Sequence, residues 1–131
     1  MTKPIEVTEQ NFRDVVGKDG IVLIDWWAPW CGPCRAFAPV FEAAAEKHED
    51  VCFGKVNTDE QQALAGAFEI RSIPTLMIFR DRVLLYAQPG SLPAAALESI
   101  LQKVRELDMD DIRRQLDEAQ RQQGKQAPQQ P

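Results

Sequence analysis

The feature that most constrains this chain is a pair of cysteines two residues apart, at the point where an apolar run changes into a helical pattern. The run Ile21–Trp27 is almost continuously apolar and has the length of a buried β-strand. After Cys34 the apolar residues recur at helical spacing. This change of period places Cys31 at the N-terminus of a predicted helix, where free backbone N–H groups and the positive end of the helix dipole favour a thiolate.

The two residues between the cysteines favour the same geometry. Pro33 suits the first helical turn, because its φ angle is compatible with a helix and it has no N–H group that would need a partner there. Together Gly32 and Pro33 leave Cys34 inside the first turn, within disulfide distance of Cys31. We therefore expect Gly32 and Pro33 to tune the chemistry of the pair.

Two other interpretations of paired cysteines are weaker. A structural zinc site needs four ligands, and outside the pair the chain has only Cys52 and His48 as cysteine or histidine. A structural disulfide across two residues closes too short a loop to restrict the unfolded chain much. We therefore predict redox chemistry, in which a thiolate is the nucleophile, and no metal site.

Four segments in the same order make the chain resemble the thioredoxin family, from about Ile5 to about Arg105. They are residues 25–35 (DWWAPWCGPCR), 55–59 (KVNTD) and 70–75 (IRSIPT), followed by Gly90. The chain departs from the family at Glu69 and Ser72, where many relatives have glycine, and in residues 80–82, which lack the usual turn glycine. These departures concern local turns and not the two thiols.

The resemblance implies a role for each of the matched residues. Cys31 would attack a substrate disulfide, and Cys34 would then displace the substrate from Cys31. Asp25 would act through water as the base that deprotonates Cys34, and Lys55 would lie near that carboxylate. The residues implied to contact the substrate are Trp30, Ile73, Pro74 and Gly90, with a cis peptide bond before the proline.

Several of these residues also have purely structural interpretations. Asp25 lies in a strand that should be covered on both faces, and burial raises a carboxyl pKa, which suits a base. An aspartate can equally be hydrogen-bonded at a strand end, and Lys55 can equally be a solvated lysine at the end of its strand. Cys52 is expected to be a buried small hydrophobe, with a regulatory thiol as the alternative.

The order of the predicted elements indicates an α/β fold. The early strand–helix–strand order requires a parallel pair with a crossover helix, and the two adjacent late strands can pair only in an antiparallel manner. We expect a mixed central β-sheet flanked by helices on both faces, with the strand order of the thioredoxin fold implied by the resemblance. Thr8 is expected to cap a helix from Glu9, and Ser91 to cap the last body helix from Leu92.

The composition changes after about Leu107. Residues 1–107 form the predicted thioredoxin domain, and residues 108–123 form a helical extension with a narrow apolar stripe. The residues of the stripe are Ile112, Leu116 and Ala119. Residues 124–131 are rich in Gln and Pro and are predicted to be disordered. The extension either packs on the body or frays in solvent, or it serves as a docking helix for a partner.

Charge and hydropathy exclude several classes of function. The net charge of −5, from 15 basic and 20 acidic residues, argues against a nucleic acid as partner. The N-terminus has no apolar stretch of signal length, and no apolar run is long enough to span a bilayer. We therefore expect a cytoplasmic monomer that does not bind membranes.

These observations predict a protein-disulfide reductase that works with two thiols and no bound cofactor. The resemblance implies that a separate thioredoxin reductase, using NADPH, restores the dithiol, and that the substrates are disulfide-containing proteins. Gly32 and Pro33 favour a reductant, because oxidases and isomerases of this fold typically carry His between the cysteines. The alternative is a binding or chaperone-like protein that uses the extension for partner contact.

Overall fold

The computed structural model describes residues 3–126. Strands and helices alternate from the first strand to the fourth; the fifth strand and two consecutive helices follow. The strands are β1 (Ile5–Glu6), β2 (Ile21–Trp27), β3 (Cys52–Asn57), β4 (Thr75–Arg80) and β5 (Val83–Pro89). The helices are α1 (Phe12–Val16), α2 (Gly32–Lys47), α3 (Gln62–Ala67), α4 (Ala94–Glu106) and α5 (Met109–Gln126).

The five strands form one mixed sheet in the order β1-β3-β2-β4-β5. The first three strands of that order are parallel, whereas β4 is antiparallel to both β2 and β5. One face packs on α2 and α4, through residues such as Phe41 and Leu101, and the other packs on α1 and α3, through residues such as Phe12 and Ala65. The predicted mixed sheet with helices on both faces is confirmed.

The central position of β2 explains its apolar sequence. A strand with neighbours on both edges and helices on both faces has no side facing water, so nearly all its residues are buried. Leu23 faces the α2 side and Ile24 the α1 side. Asp25 follows on the α2 side, and it is the only fully buried charged residue in the described part of the chain.

Two helices begin later than predicted. The Thr8 carbonyl accepts the Phe12 N–H at 3.0 Å, so that residues 9–11 form a turn and α1 begins at Phe12 rather than at Glu9. Helix α4 begins at Ala94, after Pro93. A residue that precedes proline is disfavoured in the helical conformation, so Leu92 cannot start the helix and Ser91 does not cap it.

Two turns that lack the family's glycines adopt left-handed backbone conformations. Asp81 and Arg82 have φ angles of 50° and 70° and join β4 to β5 in a tight hairpin, as predicted. Glu69, which follows α3, has a φ angle of 53°. At Glu69, Asp81 and Arg82 the chain therefore carries side chains in a conformation that glycine would adopt without strain.

Arg80 organises the junction between α4 and α5. Its guanidinium donates to the carbonyl groups of Val104 at 2.8 Å, Arg105 at 3.3 Å and Leu107 at 3.0 Å. The last carbonyls of a helix lack intrahelical partners, and a cation at this end is also favoured by the helix dipole. The end of α4 is therefore held by the end of a central strand.

The extension begins with a capped and anchored turn. The Asp108 carboxylate accepts the N–H groups of Asp110 and Asp111 at 3.0 and 3.2 Å, which caps α5. Met109 is buried, with 6% of its surface exposed, and Arg113 lies 3.8 Å from Asp81 of the β4–β5 turn. The first turn of the extension is therefore packed on the body.

The rest of α5 leaves the body. Ile112 is half-buried, whereas Leu116 and Ala119 of the predicted apolar stripe are exposed. The helix continues to Gln126, three residues into the segment 124–131 that was predicted to be disordered, and residues 127–131 lie outside the described residues. No helix within residues 3–126 combines the length and apolarity needed to cross a membrane.

Candidate active site

The two cysteines lie where β2 passes into α2. Cys31 is the N-cap of the helix, and its Sγ accepts the Cys34 N–H at 3.2 Å. The pair is joined in a disulfide with 5.2 Å between the two Cα atoms. Pro33 occupies the first turn, where its missing N–H leaves no unpaired donor, as the sequence predicted. A thiolate at Cys31 would therefore receive a hydrogen bond from the helix start, which favours the anion.

Asp25 is fully buried on β2, on the face of the strand that Trp27 shares. It precedes Trp27 by two residues and so lies on the same face of β2, and Trp27 packs against the cluster formed by both cysteines and Ala28. Among the described residues, neither Asp25 carboxyl oxygen has a hydrogen-bond partner. Burial raises the pKa of the Asp25 carboxyl to about 7, and the nearby Lys55 charge lowers it only partly.

Lys55 lies beside Asp25 in the sheet. The two residues are directly paired in the parallel register of β2 and β3. The Lys55 Nζ is 4.6 Å from the centre of the Trp27 ring, close enough for a cation–π contact. The lysine is half-buried rather than fully solvated at the strand end, and its charge lowers the pKa of the Asp25 carboxyl.

The loop before β4 meets the active-site cysteine. The peptide bond between Ile73 and Pro74 is cis, as the resemblance implied. The Ile73 carbonyl oxygen lies 3.6 Å from the Cys31 Sγ, and the Gly90 N–H donates to the Pro74 carbonyl at 2.8 Å. Gly90 has a φ angle of 110°, which a residue with a side chain would adopt only with strain. Ile73, Pro74 and Gly90 therefore lie together beside Cys31.

Trp30 directly precedes Cys31 and stands at the surface, with 67% of its surface exposed. Its Nε1 donates to the Asp59 carboxylate at 3.0 and 3.2 Å, a contact that sequence reasoning missed although Asp59 lies in a matched segment. Arg35 was also missed; its guanidinium donates to the Pro29 carbonyl at 3.0 Å. The Trp30–Asp59 bond joins residues that are 29 positions apart, and no sequence pattern indicates the Arg35–Pro29 bond. In the sequence, these residues were distinguished only by lying in the segments that match the family.

Cys52 and His48 lie away from the pair. Cys52 is half-buried rather than fully buried on β3 and packs against the α1 and α3 side of the sheet, where burial raises the pKa of its thiol. His48 ends α2, and its Nε2 lies 2.8 Å from a Glu98 oxygen that belongs to α4. Within residues 3–126, no three His, Cys, Asp or Glu side chains form a group that could hold a metal.

Comparison with known proteins decides the family. A family model described as Thioredoxin matches residues 3–103. The chain belongs to the thioredoxin family. It is 52% identical over 124 residues to a protein named "Putative thioredoxin 2" from Streptomyces coelicolor, covering 95% of this chain and 92% of that relative. It is 45% identical over 100 residues to a thioredoxin from Porphyra purpurea, covering 75% of this chain and 94% of that relative.

A solved structure gives the same result. A mutant thioredoxin from Halobacterium salinarum matches with a TM-score of 0.74 and 36% identity, over 81% of this chain and 94% of that one. With the Cys31–Cys34 pair in the thioredoxin active-site position, the chain is a thiol–disulfide oxidoreductase, which confirms the predicted activity. The family match and these relatives give no support to the binding or chaperone-like alternative.

The extension is shared with one of these relatives. The match to the Streptomyces protein covers 124 of 131 residues, so at most about seven residues of this chain lie outside it, and the match must enter α5. The Porphyra match, by contrast, spans only 100 residues, and the family model ends at residue 103. Helix α5 is therefore an addition to the family's common domain.

Proposed function

We propose that Cys31 is the attacking thiol and Cys34 the resolving thiol of a protein-disulfide reductase. The single observation that carries this assignment is the position of the Cys31 sulfur, which caps α2, receives the Cys34 N–H and lies 3.6 Å from the Ile73 carbonyl. The first two contacts favour a thiolate, and the third places that sulfur beside backbone to which a substrate strand could pair.

The reaction proceeds in two exchanges. The Cys31 thiolate attacks one sulfur of a substrate disulfide; the substrate S–S bond breaks, and the departing sulfur takes the electron pair and then a proton. The Cys34 thiol loses its proton and attacks the Cys31 sulfur, which releases the second substrate sulfur as a thiol. Two electrons and two protons pass to the substrate, and the Cys31–Cys34 disulfide is the oxidised product.

Asp25 serves as the base for the second exchange, acting through water. A carboxyl with a pKa of about 7 can accept a proton from Cys34 and return it to solvent near neutral pH, whereas an ordinary aspartate would be too weak a base. Lys55 tunes Asp25, because its charge favours the ionised carboxylate. Gly32 and Pro33 hold the two thiols at the spacing that the exchange requires.

The substrate lies across the surface around Cys31. The residues proposed to contact it are Trp30, Ile73, Pro74 and Gly90. Trp30 offers an exposed aromatic surface, and the Ile73 backbone offers main-chain groups for strand pairing, while the small Gly90 leaves room for the approach.

The electrons come from outside the chain. We propose that a thioredoxin reductase restores the dithiol with NADPH, and that the protein works as a cytoplasmic monomer on disulfide-containing proteins, without nucleic acid or membrane partners. Membership of the thioredoxin family and similarity to a bacterial relative support this assignment. No bound cofactor is required, because the two thiols store the electron pair themselves.

The assignment is tested with three serine variants. Cys31→Ser should abolish insulin-disulfide reduction, because a hydroxyl cannot replace the thiolate nucleophile. Cys34→Ser should perform one attack and accumulate a mixed disulfide that is visible on a non-reducing gel. Cys52→Ser is the matched control and should retain turnover. Turnover by the Cys31 variant, or mixed disulfide formed through Cys34 instead, would overturn the roles.

A further inference from the structure

Lys55 has an acidic neighbour on each side in the sheet. In the parallel register of β1 and β3 it is paired with Glu6, and in that of β2 and β3 it is paired with Asp25. Directly paired residues of neighbouring strands point to the same face of a sheet, and such strands lie about 4.8 Å apart. Glu6, Lys55 and Asp25 therefore form a charged row on one face, in which the lysine stands between two carboxyl groups.

The charged row leads from the surface into the core. Glu6 is exposed, Lys55 is half-buried and Asp25 is fully buried. A cavity of about 210 Å³ is lined by both Glu6 and Lys55, and Trp27 and Glu60 are also among its walls. The Lys55 side chain therefore has room to move towards the outer end of the row.

The Lys55 ammonium is not fixed to either carboxyl group. Its Nζ lies 4.6 Å from the centre of the Trp27 ring, and within residues 3–126 it forms no ion pair. Its charge nevertheless reaches Asp25, because it lowers the pKa of that carboxyl against the effect of burial. An ammonium held only by a cation–π contact can shift towards whichever carboxylate attracts it more.

Glu6 differs from the other charged residues around Lys55 in being its neighbour in the sheet. The Val7 N–H donates to the Lys55 carbonyl at 2.8 Å, so the backbone of β1 is held against β3 at this point. Glu6 also lies outside the four segments that carry the family resemblance. The charged residues that line a second cavity together with Lys55 belong to the N-terminus and to α2, and they are Lys3, Glu42 and Glu46.

We propose that Glu6 is a positioning residue for the second exchange, because its carboxylate draws the Lys55 ammonium away from Asp25. The proposal rests on the proposed function, since it takes Asp25 as the base for that exchange. A lysine shared in this way stabilises the Asp25 carboxylate less than a lysine held beside it would. Asp25 thereby stays basic enough near neutral pH to accept the proton of Cys34.

The first test is an NMR titration of the Asp25 carboxyl carbon in the oxidised protein, whose disulfide-bonded cysteines do not titrate. Glu6→Gln should lower the pKa of Asp25 by about 0.5, the size expected when an exposed ion pair is lost. Glu6→Asp keeps the charge and should keep the wild-type value. Glu49→Gln is the matched control, because it removes one negative charge from an exposed residue before the start of β3, and it should leave the titration unchanged.

A second background separates an effect through Lys55 from a direct effect of the Glu6 charge. Glu6 lies two strand spacings from Asp25, roughly 10 Å, and a direct effect of its charge would have the same sign. Glu6→Gln should therefore lower the pKa of Asp25 when Lys55 is present and leave it unchanged in Lys55→Met. An equal shift in both backgrounds would overturn the proposal. An equal shift in Glu60→Gln would also overturn it, because the sheet pairing of Glu6 would then make no difference.

The catalytic consequence is measured in a single turnover, in which release of the second substrate sulfur follows the initial attack. The pH at which this release reaches half its maximal rate should fall in Glu6→Gln by as much as the pKa of Asp25 does, while the initial attack is unchanged. If Asp25→Asn slows release but Glu6→Gln moves neither the titration nor the release profile, only the proposal for Glu6 fails. If Asp25→Asn does not slow release, the proposed function fails at Asp25, and the proposal for Glu6 fails with it.

Discussion

Replacing Asp25 with asparagine should remove a loss of stability that the wild-type protein shows as the pH rises. An aspartate whose pKa is lowered by folding has the opposite effect, because it makes the protein more stable as the pH rises. Burial raises the pKa of Asp25 from 3.8 to about 7 in the folded protein, against the opposing charge of Lys55. Between these two pH values the unfolded chain has lost the proton and the folded chain still holds it. Stability therefore falls as the pH rises through this window and is constant above it.

The magnitude follows from the two pKa values. Each pKa unit corresponds to about 1.4 kcal/mol, so the ionised carboxylate destabilises the folded state by about 4 kcal/mol once the pH is above 7. By the same linkage the destabilisation at about pH 5 is only about 1–2 kcal/mol. Asp25→Asn removes this effect, and the unsatisfied amide that it introduces costs about 1–3 kcal/mol at every pH.

Urea unfolding of the oxidised wild type and of Asp25→Asn measures the difference, since the disulfide-bonded cysteines do not titrate. The variant should gain about 2–3 kcal/mol relative to the wild type between about pH 5 and pH 8. A stability difference that does not change with pH, or that changes in the other direction, would refute a buried carboxyl with a raised pKa. In the catalytic assay the same variant should slow substrate release more than the initial attack, because it removes the base for the second exchange.

Further predictions concern the effect of Lys55 on the pKa of Asp25, the C-terminal extension and the strained turn at Glu69. Lys55→Met should raise the pKa of Asp25 further, which NMR titration of the carboxyl would detect as a shift to higher pH. A chain that ends at Leu107 should lose about 2–3 kcal/mol in urea unfolding, because it lacks the buried Met109, yet keep insulin reduction nearly unchanged; a large loss of activity in the folded truncation would contradict this. Glu69→Gly should stabilise the protein by about 1 kcal/mol by relieving a left-handed backbone, and unfolding at a lower urea concentration would exclude that explanation.

Local patterns predicted the part of the fold that carries the chemistry. The apolar run of β2 gives way to helical spacing at Cys31, and the structure places the strand end and the helix N-cap at that point. Pro33 marked the first helical turn, and the two-residue turn after Arg80 marked the hairpin. These features depend on residues that are neighbours in the sequence, so the local sequence contains most of the information that determines them.

Contacts between distant residues could not be predicted in the same way. Arg80 is 24 residues from the Val104 carbonyl that it binds, and nothing in the sequence around either residue indicates the bond. The burial of Met109 depends on the same junction. The start of α4 is different, because the restriction that Pro93 places on Leu92 is a local signal that favours a later start than Ser91 suggested.

The hydrogen bonds from Arg80 to the end of α4 fix where α5 begins, and so they also determine where a support or a label can be coupled to the protein. β4 runs antiparallel to β2, so Arg80 lies at the end of the sheet opposite to the one at which Trp27 leads into Cys31. Helix α5 starts at that opposite end, and its residues from Arg113 to Gln123 are exposed. A support or fluorescent label coupled near Arg113 or Arg114 would be separated from the thiols by the length of the central strands. An immobilised form of this protein would then present its reactive cysteine to the solution.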